Sequence, residues 1–200
     1  SVMTFPKNIF NFENYAEAFK LSNMGIAFRN SVIVLVCVCF LTTIIGTQLA
    51  YVLSRFKFKG RRFLNVCFMG GLFINVNYIV VPIFLMLVDG DKFLKSIFGT
   101  GFLLNNLVVL ALVYAAAALP FTIYLLSGYF ATLPHDYEEA AYIDGAGYGR
   151  TMVKIIFPMA KPSIITIILF NFLSFWNEYI IAMTLLKVPN GTLTLPVRLM

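Results

Sequence analysis

Charged residues are scarce in this 200-residue chain: Asp, Glu, Lys and Arg make up 12% of it, whereas 60% is hydrophobic. A soluble domain has about 25% charged and about 45–50% apolar residues, so there are too few polar groups here to cover a soluble globule. Intrinsic disorder is excluded as well, because it requires low hydrophobicity. The composition therefore predicts a membrane protein with several spans.

Histidine and cysteine, which most metal sites and many nucleophilic sites need, are also scarce. His135 is the only histidine, and we expect it to be a solvated surface group. Three cysteines lie in apolar stretches at spacings that match no metal site and no disulfide framework, so we interpret them as small hydrophobic residues: Cys37, Cys39 and Cys67. With no catalytic set, no metal site and no phosphate-binding glycine loop, we predict a non-enzymatic chain that binds neither cofactor nor ATP itself.

Long uncharged or nearly uncharged stretches occur four times, and a helical membrane crossing needs about 20 apolar residues. The apolar runs are continuous, which favours helices over the alternating pattern of β-barrel strands. We therefore predict an all-α, polytopic membrane protein with about four transmembrane helices, at about residues 30–54, 63–88, 102–129 and 162–186. Residues 1–29 are predicted to be an extracellular or interfacial segment that precedes one transmembrane domain over residues 30–200.

The basic residues predict the orientation of these spans. Five of them, with no acid among them, lie between the first two spans: Arg55, Lys57, Lys59, Arg61 and Arg62. By the positive-inside rule this loop is cytoplasmic, and alternation then places residues 89–101 outside and residues 130–161 inside. Basic loops at a membrane surface account for the net charge of +6, so we expect a lipid membrane and no nucleic acid as partner.

The loop between the third and fourth predicted spans, residues 131–161, has the pattern of two short helices. Pro134 suits a first helical turn, where three acids then favour the helix dipole: Asp136, Glu138 and Glu139. Gly145 predicts the end of this helix, because glycine readily adopts the left-handed conformation. A second helix is predicted from Tyr148, ending near Pro158. Small residues beside acids in the intervening turn suit insertion into a cleft of a partner.

Polar side chains inside predicted spans are costly to bury, so they are candidates for a functional role. Asn75 and Asn77 either line a translocation path or bond to a neighbouring helix. Glu178 either faces a path or a subunit contact together with Asn177, or it reaches the outer interface beside neighbouring aromatic residues. These four residues are our candidates for a translocation path.

The loop residues also match a known motif. Glu139-Ala140-Ala141, Gly145 six residues after Glu139, and then Ile155 and Pro158 resemble the E-A-A-x-x-x-G loop of ABC importer permeases. Other segments resemble the carbohydrate branch of that family, of the maltose-transporter type and its second, shorter permease subunit: Asn14-Tyr15, Ala18-Phe19, Asn30-Ser31, Tyr51 to Gly60, Leu119-Pro120-Phe121 and Phe175 to Tyr179.

The resemblance covers nearly the whole chain, with two departures. Members of the family usually carry one further span before residue 1 and another after the region of Pro196, so we expect the sequence to be truncated at both ends. The stretch from Gly70 to Asn77 is more polar than is usual in the family.

The resemblance implies a type I ABC importer permease fold and a mechanism. Such a permease forms the translocation path with a second permease, docks two ATP-binding cassette subunits that bind the ATP, and receives substrate from an extracellular solute-binding protein. Coupling to the ATPases runs through residues 133–158, and the motif assigns this contact to Glu138, Glu139, Ala140, Ala141, Asp144, Gly145, Ala146 and Pro158. Import of sugars or oligosaccharides across a bacterial or archaeal cytoplasmic membrane is the expected function.

Two other classes of protein compete with this interpretation. A secondary transporter, or another multi-span protein without an ATPase partner, would need internal repeats and charged relay residues within the spans, and neither is evident. An integral-membrane enzyme would need a cluster of His, Asp, Glu or Cys near one interface. Glu138, Glu139 and Asp144 also have a simpler interpretation, as solvated residues that stabilise helix ends.

Overall fold

A computed structural model describes residues 24–186, 194 and 197, except for the side chain of Asn77. Every regular element in this part of the chain is helical, which confirms the prediction of an all-α protein. The predictions for residues 1–23, for the Asn77 side chain and for most of residues 187–200 lie outside the described residues.

Two long helices form the centre of the fold: α1, Met24–Arg55, and α4, Leu107–Thr132. They pack against each other more extensively than any other described pair of elements. Gly46 of α1 faces the Thr122 side chain of α4, and a β-carbon at position 46 would lie 2.5 Å from the Thr122 methyl carbon. The absence of a side chain at Gly46 therefore permits the close approach of the two helices.

The stretch predicted as a single span over residues 63–88 is instead two helices, α2, Arg61–Leu72, and α3, Val76–Phe98. After the glycine pair at 70–71, which has low helix propensity, the N–H groups of Phe73 and Ile74 bond three residues back and close the helix with tight turns. In the described part of the chain, three helical stretches are long and apolar enough to cross a membrane: Met24–Arg55, Leu107–Thr132 and Tyr148–Trp176. The count of about four spans stays a prediction.

Asp91 organises the segment that follows α3. Its carboxylate is buried, accepts the Leu103 N–H at 2.9 Å and lies 3.0 Å from the Lys95 ammonium. The Leu103 hydrogen bond and the Lys95 charge hold the pKa of Asp91 below its ordinary value. This one carboxylate therefore fixes the return of the chain towards the start of α4.

The loop 131–161 folds as α5, Asp136–Ile143, then α6, Tyr148–Thr151, and one π-helical turn, Met152–Ile156, which runs directly into α7, Phe157–Trp176. The predicted helix end near Pro158 is wrong, because the chain is helical without interruption from residue 148 to 176. Pro158 has no N–H for the ordinary bond to residue 154, and the wider turn just before it accommodates this irregularity.

After α7 the helix breaks at residues 177–179, inside the predicted span 162–186, and α8, Ile180–Leu185, follows. Two buried clusters lie along the bundle. One joins α1, α3, α4 and α8 around Leu110, Tyr114 and Ile181, and the other joins α1, α4 and the 148–176 helix around Phe130 and Ile156. The second cluster includes Tyr51, whose hydroxyl bonds to Glu138 of α5, and so connects to the candidate site.

Candidate functional site

The turn after α5 has the geometry predicted for Gly145. Gly145 has φ +76°, its N–H bonds to the Tyr142 carbonyl at 3.0 Å, and the Ala146 N–H bonds to the Ala141 carbonyl at 2.9 Å. These two bonds form the Schellman motif, which needs a left-handed residue at the glycine position. The helix–turn–helix predicted from the sequence is thus present, and the backbone conformation at position 145 favours glycine.

The outer side of this turn is open. Glu139, Ala140, Asp144 and Gly145 are exposed, and 86% of the Ile143 side chain is accessible. Within residues 24–186, neither Glu139 nor Asp144 is paired with a basic side chain. Two unpaired acids beside an exposed isoleucine on a fixed turn form a surface that can receive basic and apolar groups of a partner.

The remaining motif residues lie elsewhere on the loop. Ala141 is buried, Ala146 is half-buried, and Pro158 is exposed near the start of α7. Ala141 therefore supports α5 from the inner side, and Pro158 is separated from the turn by α6 and the π-helical turn.

Glu138 faces the opposite way from Glu139. Its Oε1 lies 3.2 Å from Arg55 Nε and accepts the Tyr51 hydroxyl at 2.9 Å. The side chains of Arg55 and Glu138 are only 3% and 11% exposed. Glu138 is thus part of an interior ion pair and does not contribute its carboxylate to the outer surface.

Arg55 also bonds to the segment that leads into α5. Its Nη2 donates to the Leu133 carbonyl at 2.7 Å, and its Nη1 donates to His135 Nε2 at 3.0 Å. His135, predicted to be a solvated group, is 65% exposed at its side chain but makes this internal contact. Sequence reasoning assigned Arg55 only to the basic loop. Arg55 ends a helix and is followed by other basic residues, so nothing in the local sequence identifies Glu138, 83 positions later, as its partner.

Tyr51 ties this ion pair to the aromatic packing of the inner cluster. Its ring is fully buried and makes edge contacts with Phe56 and Phe130, with ring centres 6.2 and 5.6 Å apart, and a tilted contact with Tyr148 at 5.9 Å. Residues of α1, α4, α5 and α6 therefore meet at one point. We refer to Tyr51, Arg55, Glu138 and the two acceptors Leu133 and His135 as the Arg55 junction.

The candidate path residues lie at the two helix breaks. Asn75 is exposed between α2 and α3, and Asn177 is exposed after α7, where its amide donates to the Leu173 carbonyl at 2.9 Å. Glu178 is half-buried and accepts both the Tyr114 hydroxyl and the Ile181 N–H, the latter at 2.9 Å. Glu178 is therefore engaged within the chain. Nowhere in the described residues do three or more His, Cys, Asp or Glu side chains gather to hold a metal ion.

Comparison with known proteins agrees with the loop motif. A family model described as the binding-protein-dependent transport system inner membrane component matches residues 42–199. The chain is 42% identical over 174 residues to the diacetylchitobiose uptake system permease protein NgcG of Streptomyces coelicolor, covering 87% of this chain and 54% of that protein. It is 32% identical over 190 residues to the alpha-glucoside transport system permease protein AglG of Rhizobium meliloti, covering 95% of this chain and 48% of that protein.

A solved structure is similar as well. A chain in the crystal structure of a bacterial ABC transporter involved in the import of the acidic polysaccharide alginate aligns with a TM-score of 0.77 and 26% identity. The alignment covers 94% of this chain and 61% of that one. The present chain spans about half the length of the curated relatives it matches.

Proposed function

Because the chain belongs to the family of binding-protein-dependent transport system inner membrane components, we propose that the whole protein is a permease subunit of an ATP-driven importer. Its membrane-crossing helices form the translocation path together with a second permease subunit. ATP is bound and hydrolysed by two partner ATPase subunits, and an extracellular solute-binding protein delivers the substrate. The proposal places the protein in the cytoplasmic membrane of a bacterium, as a multi-pass subunit without catalytic residues of its own.

The observation that carries this proposal is the exposed turn after α5. A left-handed glycine fixes its shape, and Glu139, Asp144 and Ile143 project from it without partners among residues 24–186. An ATPase groove with basic residues and an apolar floor is the complementary surface. Docking there links the ATPase to α7, because the loop continues as one helix into that span.

We propose carbohydrates as the substrate class. Two relatives at 42% and 32% identity are named as permeases for diacetylchitobiose, and others are named for alpha-glucosides and for melibiose, raffinose and stachyose. For the path, Asn177 and Asn75 are the stronger candidates, because both are exposed at helix breaks. A break in a membrane helix is tolerated where the backbone is buried in protein or lines a water-filled cavity. A polar side chain at such a break can therefore hydrogen-bond to a substrate in the cavity.

Reconstitution of the full-length permease with its partner subunits in liposomes tests this function. Labelled N,N′-diacetylchitobiose, maltose and melibiose are the probes, each supplied with the binding protein. ATP-dependent uptake of at least one of them is expected. Uptake that proceeds without the ATPase, driven by an ion gradient, would instead support the secondary transporter.

Docking through the turn predicts the effect of two substitutions. Glu139→Lys reverses an exposed charge, and Gly145→Val places a β-branched residue at φ +76°, a conformation that costs it about 1–3 kcal/mol. Each variant should reduce co-purification of the ATPase and sugar-stimulated ATP hydrolysis about tenfold or more, a loss of about 1.4 kcal/mol or more.

Matched controls exist in the same chain. Asp89→Lys makes the same charge change at another exposed acid, and Gly147→Val alters a glycine of the same loop that has an ordinary φ of −74° and open space around it. Both controls should behave like the unmodified protein. Equal ATPase recovery with Glu139→Lys and Asp89→Lys would refute docking at the turn.

A further inference from the structure

Arg55 stands out among the basic residues of the first inner loop because it is withdrawn from solvent. Lys57, Lys59 and Arg62 are exposed, whereas the side chain of Arg55 is 3% exposed and lies against Glu138. Burying a guanidinium and a carboxylate is costly unless they are paired and further hydrogen-bonded, and such pairs fix one geometry more than they add stability. The membrane-surface role assigned to the loop does not explain this burial.

The contacts of Arg55 reach three separate parts of the chain. Arg55 is the last residue of α1. Its guanidinium donates to the carbonyl of Leu133, just after α4, and is paired with Glu138 in α5. Tyr51, one turn earlier in α1, donates to the same carboxylate at 2.9 Å. Two side chains of one helix thus hold one carboxylate of another, which restricts rotation as well as separation.

Glu138 is the neighbour of Glu139, and consecutive helical residues point about 100° apart. Glu139 faces outward on the proposed docking surface, while Glu138 faces inward into the Arg55 junction. The same turn of α5 therefore carries an outward contact and an inward anchor. Any rotation of α5 imposed from outside must displace the Glu138 carboxylate relative to Arg55 and Tyr51, or carry α1 with it.

We propose that Arg55 is a positioning residue that acts through Glu138 to make α5 and α1 move as one body. This inference rests on the proposed function and deepens it, because it names a second route of coupling. The α7 helix receives the motion of the loop through the chain itself, and α1 packs on both α7 and α4. The Arg55 junction adds a direct side-chain link between α5 and α1. Without the junction, α5 can tilt while α1 stays in place.

The test uses the full-length permease assembled with its partner subunits in nanodiscs. Nitroxide labels at Tyr137→Cys in α5 and Val36→Cys in α1, both exposed positions, report the distance between the helices by pulsed EPR. The native cysteines are replaced by serine. Arg55→Gln and Glu138→Gln remove the ion pair, and Arg62→Gln removes an exposed charge of the same loop as the matched control.

We expect one narrow distance distribution in the parent protein and in Arg62→Gln, with and without ATP. Arg55→Gln and Glu138→Gln should give a broad distribution, or a second distance when ATP binds, although the complex still assembles. The double variant should broaden it no more than either single one, because both remove the same interaction. Arg55→Lys, which keeps the charge, should recover part of the narrow population.

Sugar uptake per ATP hydrolysed is the functional readout. It should fall about 2- to 30-fold in Arg55→Gln and in Glu138→Gln, with ATP hydrolysis itself retained, and it should be unchanged in Arg62→Gln. A role confined to stability would lower the yield of complex but leave this ratio intact. If either variant fails to assemble, Tyr51→Phe, which removes only one hydroxyl, supplies the comparison.

Two results would overturn the inference: narrow distributions like the parent's in the ion-pair variants, or an equal effect of Arg62→Gln. Because the EPR distance needs no sugar, it also separates the two proposals. A parent complex that transports none of the sugars refutes the proposed function but leaves the distance measurement valid. A transporting complex whose distances ignore Arg55 refutes only the junction.

Discussion

At the scale of single residues, the contacts of Glu178 add a third interpretation to the two weighed from the sequence. Its carboxylate accepts the Tyr114 hydroxyl from α4 and the Ile181 N–H from the first turn of α8. A carboxylate near the start of a helix is favourable to the dipole and satisfies a free donor there. Glu178 therefore joins α4 to α8 across the helix break.

Replacing Glu178 tests this role. Glu178→Ala leaves the Tyr114 hydroxyl and the Ile181 N–H without their acceptor, and should lower the free energy of unfolding by about 1–3 kcal/mol. Asn177→Ala, next to it, removes an exposed side chain whose amide bonds to the Leu173 carbonyl one turn earlier, and should change stability by less than about 0.5 kcal/mol. Denaturant unfolding in detergent measures both. Normal stability with impaired uptake in Glu178→Ala would place this side chain on the translocation path instead.

The difference between Glu138 and Glu139 marks what sequence alone can predict at this scale. The helix over 136–143, its acidic first turn and the glycine at its end follow from local rules and were predicted correctly. Which of two adjacent acids faces inward depends on what packs against α5. That neighbour is Arg55, 83 positions earlier, and no local pattern places it there.

At the scale of elements, the contact of α1 with α4 depends on small side chains. Gly46 leaves room for Thr122, and Asn171 of α7 donates to Thr42 of α1 at 3.3 Å, which gives α1 a polar contact on another face. In a membrane, close packing and interhelical hydrogen bonds replace the hydrophobic effect as the force that holds helices together.

Enlarging Gly46 should therefore separate the two helices. In Gly46→Val the β-carbon alone would clash with the Thr122 methyl group, and overpacking of this kind costs about 1–3 kcal/mol. Gly128→Ala in α4 is the control, since a β-carbon there meets nothing within 4 Å, and it should be neutral or stabilising by up to about 1 kcal/mol. Thermal unfolding of the two variants in the same detergent makes the comparison. Equal stability would show that the helices can shift apart without loss.

The helix breaks show why span boundaries were predicted less well than helix content. Uncharged length locates apolar stretches but does not say whether a helix runs through them without interruption. The glycine pair before Phe73 ends α2, and the side chain of Glu178 starts a new turn at α8. Pro158, near which the second loop helix was predicted to end, lies inside a continuous helix, and a π-helical turn precedes it.

At the scale of the whole molecule, the all-helical fold and the family are those predicted from the sequence, whereas the orientation in the membrane is still a prediction. The positive-inside rule places Lys59 in the cytoplasm and the segment around Lys92 outside. The structure leaves three bases of the first loop exposed, Lys57, Lys59 and Arg62, because Arg55 is paired with Glu138 and Arg61 donates to the Ser54 carbonyl at 3.1 Å. With three exposed bases and no exposed acid, this loop is still predicted to lie on the cytoplasmic side of the membrane.

Cysteine labelling of intact cells checks this orientation. In the full-length protein with its native cysteines replaced, Lys92→Cys should react with a membrane-impermeant maleimide, because position 92 is exposed and predicted to be outside. Lys59→Cys, at another exposed lysine, should react only after the membrane is permeabilised. The reverse pattern would invert the predicted topology and place the proposed docking turn on the wrong side for an ATPase.

The π-helical turn at Met152–Ile156 has a consequence for how the gene can vary. Such a turn holds one residue more than the α-helical turn it replaces, so it is equivalent to a one-residue insertion in the helix that connects the loop to α7. Each residue of an α-helix advances about 100° around the axis. Because the wide turn takes up its extra residue within a single revolution, loss of one codon here would let the helix close as a regular α-helix with the glycine turn facing nearly the same way relative to α7. Loss of a second codon would rotate the glycine turn by about 100°. We therefore expect this segment to accept the loss of one residue more readily than the loss of two.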